Sequence, residues 1–237
     1  MDKDLNTSYY KDFDTNFEQA YSLLEKSFSH EELLKLLNDG NIPEKQIAAL
    51  MFDGVNNEND AKALIDNLTG CDGKIREAVA LKINQIMAFN EKSRAFFTYP
   101  EIFAQATIDI NANICRLVVD SAKFLKTNKE FAINYTNEII KITKSSLDEL
   151  DKFIFRDKKY VINKQLFKLY WCLEALKSFY EFVDSEELST ILEKCSQNSE
   201  YTIREKTAQL VRVVGSFSEI EEQLKKDENY YVRCVFD

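Results

Sequence analysis

One short phrase recurs in this chain, and it limits the possible folds more than any other feature. Residues 64–81 read LIDNLTGCDGKIREAVAL, residues 191–208 read ILEKCSQNSEYTIREKTA, and residues 220–235 read IEEQLKKDENYYVRCV. Each copy joins the end of an amphipathic helix to a polar break. A polar residue then stands three positions before an aliphatic–Arg pair. The polar residues are Asp72, Glu200 and Asn229, and the pairs are Ile75–Arg76, Ile203–Arg204 and Val232–Arg233. A phrase repeated in this way predicts a stack of helix pairs.

The phrase has a physical reading. Asp72 and Asn229 suit a helix N-cap, where a side-chain oxygen accepts a first-turn N–H. Glu200 caps less well but suits the positive end of the helix dipole. Beyond each pair the apolar residues keep helical spacing. Ile75 is followed by Val79, Ile83 and Ile86, and Ile203 by Thr207, Leu210, Val211 and Val214. Each set forms one apolar stripe. Two degenerate copies fit the same register: Ile114, Val118, Ala122, Leu125, and Ile162, Leu166, Leu169, Leu173. There Cys115 and Asn163 replace the Arg. Anchors at 75, 114, 162, 203 and 232 lie 39, 48, 41 and 29 residues apart. Most of these gaps fit helical hairpins of about forty residues. Strand signals are nearly absent, so the reading is all-α.

Residues 72–79 (DGKIREAV) and 200–208 (EYTIREKTA) resemble the acidic-x-x-aliphatic-Arg opening of HEAT-like repeats in α-solenoids. That resemblance implies a right-handed α-α superhelix of helical hairpins. It implies one domain over residues 11–237, clearest at 60–90 and 185–237, behind a disordered stretch at 1–10. It also implies that Asp72, Arg76, Glu200 and Arg204 tie neighbouring repeats together and carry no activity.

Along the chain, a first helix is predicted from Phe13 to Phe28, with Phe17, Ala20, Tyr21 and Leu24 on its core face. Ser29–Glu32 has capping-box spacing before a second helix closed by Gly40. Pro43 opens a third. Asn111 is placed to cap the Ile114 helix. Residues 129–155 allow one long helix or two, broken near Ser145–Ser146. Residues 158–183 hold the most aromatic helix, whose Phe167, Tyr170 and Trp171 read as repeat core. Residues 229–237 read as the start of another repeat helix, docked through Tyr231, Val232 and Val235.

Charge is uneven. Residues 1–66 hold 14 acids and 6 bases, residues 141–180 hold 5 and 9, and residues 181–237 hold 13 and 7, within a net −9. That balance argues against nucleic-acid and anionic-membrane binding, which need clustered Lys and Arg. It leaves one basic segment between acidic ends: Lys141, Lys144, Lys152, Arg156, Lys158, Lys159, Lys164 and Lys168. This segment is the expected partner-binding surface, for a protein with an acidic face. Opposed patches also predict weak self-association at low salt.

Catalytic chemistry is hard to write. His30 is the single histidine, in an expected capping turn open to solvent. No H-E-x-x-H, phosphate loop or dinucleotide fingerprint occurs. Five scattered cysteines without C-x-x-C read as reduced thiols of a cytoplasmic protein. No catalytic, cofactor or metal-ligating residue is therefore expected. The expected function is a non-catalytic protein–protein interaction or scaffold module. The alternatives are an enzyme on the same scaffold, as HEAT-like bilin lyases and alkyl-base DNA glycosylases are, or a piece of a larger solenoid. A glycosylase of that kind needs a basic, aromatic-rich groove, whereas this chain is acidic with one Trp.

Overall fold

Short polar residues set where the helices begin. The structure, a computed structural model, describes residues 15–152 and 159–237, and for residues 159–161 the backbone alone. The expectations at residues 1–10, Phe13, Phe155, Arg156 and Lys158 lie outside these residues. Ser29 and Glu32 form a reciprocal capping box at the start of α2 (His30–Asp39). Asn41 and Glu44 do the same for α3 (Ile42–Met51), with Pro43 in its first turn. Asn57 caps α4 (Glu58–Ile65), and Asp72 caps α5 (Gly73–Phe89) through Lys74 N–H. Each such cap satisfies a donor the helix itself leaves open, worth about 1 kcal/mol.

The contacts group the chain into two compact units, where the sequence reading drew one domain. Met1–Ile102 and Asn111–Phe124 form the first; Phe103–Ile110 and Leu125–Asp237 form the second. The boundary falls inside α6 (Pro100–Thr107). Among the described residues there is no strand, and the fold is all-α.

In the first unit α1 (residues 15–24) precedes α2. Helix α2 packs on α3 and α4, α3 on α5, and α5 on α7 (Ala112–Phe124), which Asn111 caps through Asn113 N–H. The stripe Ile75, Val79, Ile83 and Ile86 is buried, as are Ile114, Val118 and Ala122. Burying one such aliphatic side chain contributes about 1.5–3 kcal/mol. Gly40 follows α2 with an ordinary extended φ of −70°, so its role is space and not handedness. A Cβ there would meet the Leu36 carbonyl oxygen at 2.4 Å.

In the second unit α8 (Lys129–Asp151) runs unbroken through Ser145–Ser146 and packs along α9 (Lys159–Phe179). Buried Thr136 and Thr143 bond back to the carbonyls of Ala132 and Ile139, so their hydroxyls enter the core satisfied. Helix α9 packs on α11 (Tyr201–Val214), and α10 (Ser185–Ser196) packs on α11 as well. Gly215 ends α11 at φ +69°. Helices α12 (Ser218–Leu224) and α13 (Tyr230–Arg233) then close onto α11. Phe103, Phe131, Tyr135 and Phe179 form an aromatic core, with the Tyr135 hydroxyl 2.8 Å from Thr107 Oγ1.

The Arg of the phrase folds back onto its own turn. Arg76 Nη1 donates to the Cys71 carbonyl. Arg204 Nη1 donates to the carbonyls of Asn198 and Ser199, at 2.9 and 3.1 Å. Arg233 Nη1 donates to those of Asp227 and Glu228, at 2.5 and 2.8 Å. In each copy the guanidinium closes the polar break that the chain has just made. The resemblance had implied ties between repeats. Arg204 also reaches Asp227, beyond its own helix, and all three arginines share the local bond. Glu200, unlike Asp72 and Asn229, makes no side-chain cap, and Asn198 Oδ1 takes its N–H instead.

Candidate functional site

Helical spacing puts Tyr170, Glu174 and Lys177 on one side of α9, with Phe167, Trp171, Lys164 and Lys168 continuing the same arc. This face was expected to be repeat core. It is instead half-buried at all three aromatics, while Leu169, Cys172, Leu173 and Leu176 take the core positions. Phe167 and Tyr170 each meet Trp171 edge to face, with centroids 6.4 and 5.4 Å apart.

Helix α11 lays a charged network beside these rings. Lys206 Nζ lies 2.6 Å from Glu174 Oε2 and 4.7 Å above the Tyr170 ring. Lys177 reaches the same Glu174 oxygen at 2.8 Å and Gln209 Oε1 at 2.8 Å. Burial works against the Glu174 carboxylate, but the two ammonium groups outweigh it and hold its pKa below the usual range. Burial likewise disfavours the Lys206 ammonium, and Glu174 overrides it and raises the pKa. Lys206 therefore stays charged, and with Lys177 and Glu174 it frames the aromatic face with paired polar groups.

Three lysines of the predicted basic set already hold carboxylates. Lys141 and Lys152 pair with Glu138 and Glu149 on their own helix, at 2.5 and 2.8 Å. Lys144 pairs with Glu187 of α10. Arg156 and Lys158 lie outside the described residues, as does the side chain of Lys159. Lys164 and Lys168 remain. They stand one turn apart on α9, beside Phe167 and Trp171, and meet no carboxylate among the described residues.

Three features escaped the sequence reading. His30 is not a solvated capping residue. Its Nδ1 lies 3.0 Å from Asp53 Oδ1, and its ring lies against Phe52, tilted by 40° with centroids 4.9 Å apart. Its Nε2 sits 3.1 Å from Asp60 Oδ2, an ion pair when the ring is protonated. Asp60 is buried and accepts the Asn56 N–H at 2.8 Å. The hydrogen bond to Asp53 raises the His30 pKa against the cost of burial. No local signal marked this contact, since 23 residues separate His30 from Asp53.

Second, Phe17, Tyr21 and Leu24 share a face of α1 as expected, but that face is open. They are 64%, 61% and 54% exposed and, with Ile42 and Leu50 of α3, line an apolar groove of about 430 Å³. Third, Tyr201, Tyr230 and Tyr231 form an exposed aromatic cluster at the starts of α11 and α13.

The cysteines are all free thiols. Burial pushes Cys172 and Cys195 up to about 12, which leaves neither a thiolate nucleophile at neutral pH. Among the described residues no three His, Cys, Asp or Glu side chains are placed to hold a metal ion. Among the same residues no helix is long and apolar enough to cross a membrane.

No family model and no curated protein matches the chain. Among solved structures, the chain is similar to an engineered protein at 13% identity. That match covers 88% of this chain and 94% of the other with a TM-score of 0.45, and neither fold nor function is carried over from it.

Proposed function

We propose that this chain is a non-catalytic binding module of HEAT-like helical repeats, and that it takes an acidic protein segment on the exposed face of α9. The observation that carries this reading is the contrast within the lysine set. Lys141, Lys144 and Lys152 already hold carboxylates, whereas Lys164 and Lys168 flank half-buried Phe167 and Trp171 and hold none among the described residues. Aromatic surface and such cations side by side suit a partner with acidic and apolar residues interleaved. The aromatics supply desolvated area and the lysines supply steering. Lys206 and Glu174 hold the neighbouring polar surface in place, which lowers the entropy lost on binding.

Trp171 is the single tryptophan, so its fluorescence reports on this face alone. A peptide alternating Glu with Leu and Phe should shift Trp171 emission and bind less tightly as salt rises. Lys164→Glu with Lys168→Glu should abolish the shift, with circular dichroism confirming that the variant is folded. Equal binding by this variant, or binding insensitive to salt, rejects the α9 reading.

A further inference from the structure

The two ring nitrogens of His30 face two carboxylates of opposite character. Nδ1 lies 3.0 Å from Oδ1 of Asp53, whose side chain is 74% exposed in the loop between α3 and α4. Nε2 lies 3.1 Å from Oδ2 of Asp60, whose side chain is 1% exposed at the start of α4. The same Asp60 oxygen accepts the Asn56 N–H at 2.8 Å. Among the described residues the other charged groups nearby turn elsewhere. Glu32 of α2 closes the Ser29 cap, and Glu44 of α3 closes the Asn41 cap. Lys45 of α3 bonds Asn67, and Lys62 of α4 pairs with Asp66. Glu31 and Glu58 are exposed and make no hydrogen bond or ion pair to the ring. Half-buried Lys82 of α5 feels the charge of Asp53.

A protonated ring presents an N–H and positive charge to both carboxylates. A neutral ring carries one hydrogen, so one nitrogen must turn a lone pair toward an acceptor. The two losses are unequal. Water rehydrates an exposed carboxylate, whereas a buried one left without its donor keeps the desolvation cost. We propose that His30 is a pH switch for the Asp53–Gly54 corner: on losing its proton it keeps the hydrogen on Nε2 for Asp60 and releases Asp53. The proton passes from Nδ1 to solvent, and the lone pair left behind repels Asp53 Oδ1. The hydrogen bond to Asp53 raises the His30 pKa, so the clasp is closed below that raised value and opens as pH rises through it. The movement is local. Phe52 and Val55 are buried on either side of the corner, and Ser93 Oγ donates to the Val55 carbonyl at 2.6 Å. Gly54 has room to move, since a Cβ built there would meet no atom within 4 Å. The switch lies in the first unit and uses none of the α9 residues.

Imidazole nitrogen NMR of the full chain tests this directly, because a single histidine gives one set of ring signals. The ring is followed from about pH 5 to about pH 10, a window that spans its ordinary titration. The expected result is one titration with its midpoint above 6.5, ending with the hydrogen on Nε2 and the lone pair on Nδ1. Backbone amide signals of Asp53 and Gly54 should shift with that midpoint. Their order parameters should fall above it, while those of Val55 and Ser93 stay high. Asp53→Ala, at an exposed position, should lower the midpoint, keep the hydrogen on Nε2 and remove the pH response of Gly54. A neutral ring with its hydrogen on Nδ1 overturns the proposal. So do a midpoint at or below 6.5, a ring that stays protonated until the chain unfolds, or a corner whose order parameters ignore the titration.

Discussion

The guanidinium of Arg204 and the carboxylate of Asp227 meet edge to edge, with Nε to Oδ2 at 2.7 Å and Nη2 to Oδ1 at 3.0 Å. Both side chains are about nine-tenths buried. Asp227 Oδ1 also accepts the Asn229 N–H at 2.8 Å, so one carboxylate orders the turn that leads into α13. Breaking such a pair from one side leaves a buried charge. Arg204→Ala should therefore lower unfolding free energy by about 3 kcal/mol, and Arg204→Lys by less but measurably. Denaturant midpoints at constant m-value test this, and a change under about 0.5 kcal/mol for Arg204→Ala sinks the account.

The His30 contacts make stability depend on pH in a defined direction. The hydrogen bond to Asp53 raises the folded pKa of His30 above its unfolded value. The folded state then binds the proton more tightly. This contribution is complete below the unfolded pKa near 6.5 and fades as pH rises through the raised folded value. Asp53 acts in the opposite sense: His30 depresses its pKa, so its contribution is lost as pH falls through that depressed value. The tie is strongest between the two limits. His30→Gln should flatten the alkaline fall of the melting temperature, and an unaltered pH profile would show that the imidazole is not charged in the tie.

The segment after Asn229 docks through one residue more than through its aromatics. Val232 is completely buried and Val235 half-buried, whereas Tyr231, expected to share the docking, is 59% exposed. Val232→Asp should cost about 3 kcal/mol by burying an unpaired carboxylate. Tyr231→Ala loses only its stacking on Tyr201 and should cost about 1 kcal/mol. Thermal melts of the two variants separate these effects, and equal losses would refute the assignment.

Thiol chemistry should divide the five cysteines. Cys71 and Cys234 are partly exposed, and Cys115, Cys172 and Cys195 are buried. In the native protein a thiol reagent should modify two groups quickly, and all five in denaturant. Rapid native labelling of Cys172 or Cys195, located by mass spectrometry, would contradict the burial that holds their pKa near 12.

Much of the fold was legible because it is local. Stripes such as Ile75, Val79, Ile83 and Ile86 mark a buried helix face by spacing alone, and caps at Ser29, Asp72, Asn111 and Asn229 depend on residues two or three positions away. The candidate surfaces were less legible. Spacing places Phe167, Tyr170 and Trp171 on neighbouring positions of one helix, but it cannot say whether another helix covers them. The same holds for Phe17, Tyr21 and Leu24, which have the pattern of a core face and stand open.

The amino-acid sequence by itself determined helix content, helix starts and the repeated turn, since each follows from interactions within about six residues. Tertiary structure alone decided where charges end. The same lysine-rich stretch is neutralised at Lys144 by Glu187, 43 residues away, and meets no carboxylate at Lys164 and Lys168 among the described residues. His30 finds Asp53 and Asp60, and Arg204 finds Asp227, across comparable distances in the chain. Coulomb energy depends on separation in space and on the burial around it, and neither is written in residue order.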